Sequence, residues 1–137
     1  MTAAIEAEDD MRELRDERPA VWIGHVALGA NDLARSRAFW EALGMRLVEA
    51  HERVVVLELR GGTHLVLLPA REPAKPGARA PFDIMVDDLD ATRARYAELG
   101  LSPSEIRDGG IHRSFELVDP SGYVVTVNSS HVSGHPV

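Results

Sequence analysis

Three observations predict an α+β domain built from two βαβββ modules. A strand followed by an amphipathic helix and a glycine stop occupies residues 21–44, the same order of elements returns in the second half, and a proline-rich connector separates the copies. Shifting the chain by 56 residues sets Asp32 on Asp88, Leu33 on Leu89, Arg37 on Arg93, Ala38 on Ala94, Leu43 on Leu99 and Gly44 on Gly100, with Trp40 on Tyr96. An internal repeat of this length marks a duplicated supersecondary unit. Each unit is one sheet with a helix on one face, so its other face needs a cover. Two units forming a cup-shaped mixed sheet would surround a cavity, where small ligands usually bind.

Each element has its own signal. From Val21 to Ala30 the residues alternate as in a strand, with Val21, Ile23, His25 and Ala27 on one face. Asn31 or Asp32 caps a helix whose apolar positions are Leu33, Phe39, Trp40 and Leu43, and Gly44 ends it. Strands are expected at Arg46–Glu49, Val54–Leu59 and His64–Leu68, the last two joined at Gly61-Gly62. After the connector come a strand at Phe82–Val86, a helix at Asp88–Leu99 closed by Gly100, and strands at Ser104–Arg107, His112–Val118 and Tyr123–Asn128. Asp119-Pro120-Ser121-Gly122 is the turn before the last strand. The expected organisation is an N-terminal extension over 1–20, a domain over 21–129 (first module 21–69, linker 70–80, second module 81–129), and a tail over 130–137.

Composition narrows the function. With 15 basic and 22 acidic side chains the net charge is -7, which repels phosphate backbones and anionic lipid, so neither nucleic acid nor membrane is an expected partner. Cysteine is absent, which removes disulfides, thiolate nucleophiles and thiolate metal ligands together and suits a cytoplasmic location. No run approaches the ~20 apolar residues of a membrane span. Packing the more apolar face of each strand on its helix places Glu58 in the cavity from the third strand, and His112, Ser114 and Glu116 from the seventh. His112 and Glu116 lie roughly 13 Å apart along an extended strand and cannot share one small ion. The plainer readings are a core histidine for His25, and carboxylates at Glu58, Asp83 and Glu116 that are solvated or paired with Arg60, Arg107 or Arg113.

The chain resembles the vicinal oxygen chelate superfamily, which includes glyoxalase, bleomycin-resistance proteins and extradiol dioxygenases. The resemblance rests on Gly24-His25-Val26-Ala27-Leu28 leading to Asn31-Asp32-Leu33, on Phe39-Trp40 and Leu43-Gly44, on Val86-Asp87-Asp88-Leu89, and on Asp119-Pro120-Ser121-Gly122. It implies a cavity in which enzymes of the family hold a divalent metal as Lewis acid, and a homodimer. Motif for motif, the ligand positions fall on His25, Val66, Pro81 and Thr126, so one ligand of four keeps a metal-binding side chain. A catalytic metal generally needs three or more protein ligands. His64 and Asp83 share faces with family positions but stand about 6.6 Å away from them along the strand.

The leading expectation is therefore metal-independent binding of a small organic molecule, as in the bleomycin-resistance branch, with contacts from His25, Glu58, His64, Asp83, His112, Glu116 and Thr126. No cofactor is expected. One alternative is a metal-dependent lyase, isomerase or dioxygenase with a rearranged ligand set around His25. The other is a metal-free enzyme using a cavity histidine, His25 or His112, as acid-base.

Overall fold

The computed structural model describes residues 17–131, 134, 136 and 137, so most of the expected N-terminal extension and His135 lie outside the described residues. The first module consists of β1 (His25–Ala30), α1 (Leu33–Leu43), β2 (Arg46–His51), β3 (Val54–Glu58) and β4 (His64–Pro69). The second repeats the order with β5 (Ile84–Val86), α2 (Leu89–Glu98), β6 (Arg107–Gly109), β7 (His112–Val118) and β8 (Val124–Ser129). The strands form two four-stranded sheets, β1-β4-β3-β2 and β5-β8-β7-β6, each with one parallel pair at the strand preceding its helix. The predicted α+β class and both βαβββ modules are therefore present.

The helices start and stop for the expected reasons. Asp32 caps α1 by accepting from Arg35 N at 3.1 Å, and Asp88 caps α2 by accepting from Ala91 N at 3.0 Å. Gly44 ends α1 at φ 119°, a left-handed conformation that costs a side chain dearly. On α1 the buried residues are Phe39 and Trp40, with Ser36 beside them. Facing them from the sheet are Val55, Leu57, Leu65 and Leu67, all 3% exposed or less. In the second module Tyr96, Phe115, Leu117, Val125 and Val127 play the same part. Alternation thus sends one side of each strand to a helix and the other to an open face.

One apolar core runs through both modules. Trp40 packs its ring on Phe82 at 5.6 Å, and Tyr96 Oη donates to Leu43 O at 2.6 Å. Asn31 N donates to Ser121 Oγ at 3.1 Å, and Arg60 makes a two-pronged pair with Asp87. Trp40 and Tyr96, equivalent in the repeat, both serve as core anchors.

The expected strand boundaries shift where pairing partners are missing. β1 begins at His25 rather than Val21, because β4, its only neighbour, begins at His64. Val21, Trp22 and Ile23 are consequently exposed at 83%, 68% and 66%. β5 begins at Ile84 rather than Phe82. Upstream, residues 78–80 already lie along β8, with Ala80 N donating to Val124 O at 2.9 Å, and Pro81, which has no N–H, interrupts the ladder between the two stretches. Ser104–Arg107 forms strand only from Arg107 on. Ser104 is tied to β7 by its N to Glu116 O and by its Oγ accepting from Glu116 N.

Candidate functional site

The register of the first sheet assembles a row that alternation alone could not reveal. His25 pairs with His64, His64 with Glu58, and Glu58 with Arg46, so four polar side chains cross all four strands at one level of the open face. The next level contains Ala27, Val66, Val56 and Glu49, three of them apolar. A β-bulge at Val48 sets this arrangement on the edge strand, since one extra residue between Leu47 and Glu49 keeps Glu49 opposite Val56. The open face of the first module is therefore an apolar platform beside a polar rail.

Along the rail the contacts are specific. His64 Nε2 lies 3.0 Å from Glu58 Oε2, and Arg46 Nη2 donates to Glu58 Oε1. The rings of His25 and His64 are 5.8 Å apart between centroids. His25 is exposed, which corrects the core-histidine reading, and Glu58 pairs with Arg46 and His64 rather than with Arg60, Arg107 or Arg113. The hydrogen bond from His64 and then that from Arg46 hold the Glu58 carboxyl below its ordinary value of 4.5, against a smaller opposing effect of burial. An ionised carboxylate only accepts, so His64 donates to it from Nε2, and in the neutral imidazole the Nδ1 lone pair is left to accept.

A group whose folded pKa is depressed contributes stability above its unfolded pKa, and that contribution is lost as pH falls through the folded value. The side-chain NMR titration of Glu58 should have its midpoint below 4.5 and should move upward in His64→Ala. A midpoint at or above 4.5 in the wild type would break the rail.

The second sheet holds a separate group. Glu116 and Thr126 are register partners on the open face of β7 and β8. Arg79 Nη1 donates to Glu116 Oε2 at 2.9 Å and reaches Thr126 Oγ1 at 3.4 Å. Arg79 comes from the connector, where the sequence suggests a solvated charge; the pairing of residues 78–80 with β8 carries it onto the sheet. Asp83 Oδ2 accepts from Asn128 Nδ2 at 3.0 Å. His112 stands apart, with Nδ1 3.2 Å from Ser129 O and its ring 4.4 Å from that of His131. Of the seven expected contact residues, the structure joins His25, His64 and Glu58 in one cluster and Glu116 and Thr126 in another. Among the described residues no hydrogen bond or ion pair connects the two clusters.

A cavity of about 690 Å³ opens between the modules, bounded by Leu43, Met45, Leu59, Asp83, Met85 and Tyr96 among others. Asp83 is the only one of the seven expected residues on its wall. The cavity runs beside β5 and the start of α2, whereas the histidine row lies on the open face of the first sheet.

A model of the Glyoxalase/Bleomycin resistance protein/Dioxygenase superfamily matches residues 22–127. The chain belongs to this superfamily. Solved structures agree in fold. Lactoylglutathione lyase from Agrobacterium tumefaciens is 23% identical with a TM-score of 0.68, the match covering 85% of this chain and 99% of that one. TnmS3, an antibiotic binding protein from Streptomyces sp. CB03234, is also 23% identical at a TM-score of 0.68, covering 83% and 100%. Oxidase ChaP-H2 is 19% identical at 0.62, covering 84% and 98%. Identities this low establish the fold alone, and these three structural neighbours differ in what their names say they do. No protein of curated function matches the sequence. No helix among the described residues is long and apolar enough to cross a membrane.

The superfamily's divalent metal can be tested against the residues at its ligand positions. Val66 and Pro81 carry no donor atom in their side chains, and the Thr126 hydroxyl is a neutral oxygen already within reach of Arg79. His25 is left with its nearest imidazole, His64, engaged to Glu58. Among the described residues no group of three or more His, Asp or Glu side chains is placed to hold an ion. The chemistry of these positions does not fit the metal.

Proposed function

We propose that this superfamily member captures a small organic molecule on the open face of its first sheet, without a metal at the family's ligand positions. The observation that carries the reading is the row Arg46–Glu58–His64–His25 lying beside the apolar surface of Val56, Val66 and Ala27. A few placed polar groups next to an apolar floor is the usual composition of a small-molecule site. Arg79, Glu116 and Thr126 on the second sheet provide a second polar group for a larger ligand or for its other end. A homodimer that sets open faces against each other encloses this face. The exposed Val21, Trp22, Ile23, Leu68 and Met85 suit such an interface. The acidic, cysteine-free chain suits the cytoplasm.

The test compares metal content and ligand response in wild type and His25→Ala, both purified without chelator or affinity tag. The expected result is substoichiometric metal in both proteins, and a ligand from a compound library that raises the wild-type Tm but not that of the variant. Stoichiometric metal that disappears in His25→Ala would overturn the reading. A second reading, proton-transfer catalysis without metal, is favoured by the 3.0 Å contact between His64 and Glu58. Turnover of the captured ligand would select it.

A further inference from the structure

We propose that His64, backed by Glu58, is a proton-accepting site for an acidic hydroxyl on a planar, largely apolar ligand of the phenol or enol class, which binds as its anion. The inference rests on the capture reading and specifies the chemistry of what is captured. Four features of the open face lead to it. Glu58 Oε2 accepts a hydrogen bond from His64 Nε2–H, which in the neutral imidazole fixes the tautomer and leaves Nδ1 as an acceptor for a donor on the ligand. Arg46 occupies the other oxygen of Glu58, so the carboxylate is anchored on both sides and stays an orienting group. The exposed His25 ring, 5.8 Å from that of His64, stands on the same level and can donate to the oxygen that has lost its proton. Ala27, Val66 and Val56 form the neighbouring level, an apolar surface against which a ring face can pack.

The proton transfer balances within the complex. The ligand O–H bond breaks, its electron pair stays on oxygen, and the proton forms a new N–H bond at His64 Nδ1. The imidazolium then lies between the Glu58 carboxylate and the ligand oxyanion, an arrangement of charge-assisted hydrogen bonds stronger than neutral ones. Among the described residues, the other titratable groups on this face, Glu49 and His51, are paired to each other at 2.6 Å on the edge strand and exposed, away from His64.

4-Nitrophenol is a suitable probe because its anion and neutral form differ in colour. The measurement is made below the probe's own ionisation midpoint, with 4-nitroanisole, which lacks the hydroxyl, as comparison. Wild-type protein is expected to bind 4-nitrophenol saturably with a rise in phenolate absorbance, and to bind 4-nitroanisole weaker by on the order of tenfold. His64→Gln should abolish the phenolate rise, Glu58→Gln should reduce it, and His51→Ala should leave it intact, with circular dichroism confirming that each variant is folded. Equal affinity for 4-nitroanisole, binding of 4-nitrophenol in its neutral form, or a phenolate rise that survives His64→Gln would each overturn the inference. If 4-nitrophenol fails to bind while a library compound still raises Tm through His25, the hydroxyl-recognition inference falls and the capture reading stands. If neither binds, both fall.

Discussion

Trp40→Ala is expected to remove about 3–5 kcal/mol of stability, the range for deleting a large buried aromatic side chain. Against a total of about 5–15 kcal/mol for a domain, this would leave the protein marginal. The effect is large because Trp40 is fully buried and packs in two directions: edge-on to Phe39 at 5.2 Å in its own helix and onto Phe82 at 5.6 Å, where the second module begins. Among the described residues its buried indole Nε1 has no hydrogen-bond partner. Trp40→Phe therefore forfeits no hydrogen bond and relieves an unsatisfied donor, so its cost should be confined to the smaller ring, about 1–2 kcal/mol. Urea unfolding followed by far-UV circular dichroism measures both. A Trp40→Ala protein within about 1 kcal/mol of wild type, or a Trp40→Phe protein as damaged as Trp40→Ala, would show that the indole does not tie the modules together.

That Trp40 anchors the core was legible from the repeat, because an aromatic residue recurs at Tyr96 within an otherwise matching helix. The helices, with Asp32 and Asp88 as caps and Gly44 as stop, were equally readable, since capping is chemistry local to a few residues. The strands were readable in number and order but not in extent. A strand ends where its neighbour ends, so the exposure of the Val21–Ile23 segment, outside the ladder, follows from the position of His64 on another strand, which no local pattern reports. Pro81 was visible as a residue, but its role as a gap between the residue 78–80 pairing and β5 was not.

The candidate site divides in the same way. Which residues face away from the helices followed from alternation, and Glu58, His64, Glu116 and Thr126 all lie on open faces as expected. Which of them meet depends on register, and register is set by long-range pairing. His25 and His64 are 39 positions apart in sequence yet directly opposite in the parallel pair. Arg46 was passed over because the Val48 bulge that sets its strand against β3 leaves no trace in the alternation. Arg79 was passed over because a cation in a proline-rich connector reads as solvated, whereas backbone pairing with β8 brings it to Glu116.

The second large effect is expected at the turn before β8, where one carboxylate organises a chain reversal. Asp119 is 4% exposed, and its Oδ1 accepts from Ser121 N at 3.0 Å and from Tyr123 N at 2.8 Å. Gly122 completes the turn at φ 97°, and Ser121 Oγ accepts from Asn31 N of the first module. Asp119→Ala orphans both backbone donors and should cost about 2–4 kcal/mol, the sum of two unsatisfied groups at about 1–2 each. Among the described residues Oδ2 has no hydrogen-bond partner, and desolvation raises the carboxyl above its ordinary 3.8, more than the backbone hydrogen bonds lower it. Across the window from 3.8 up to the folded value the native state keeps a proton that the unfolded chain has released, so this group's contribution to stability falls as pH rises and then levels. Asp119→Asn retains the Oδ1 acceptor and removes the charge. Subtracting its unfolding free energy from that of the wild type at each pH isolates the Asp119 contribution, and the difference should decline as pH rises past 3.8 and then level once the folded carboxyl has ionised. A difference that is flat or rises with pH would mean that the turn carboxylate is solvated in the folded protein, and the burial that makes Asp119 the hinge between the last strand and the first module would have to be abandoned.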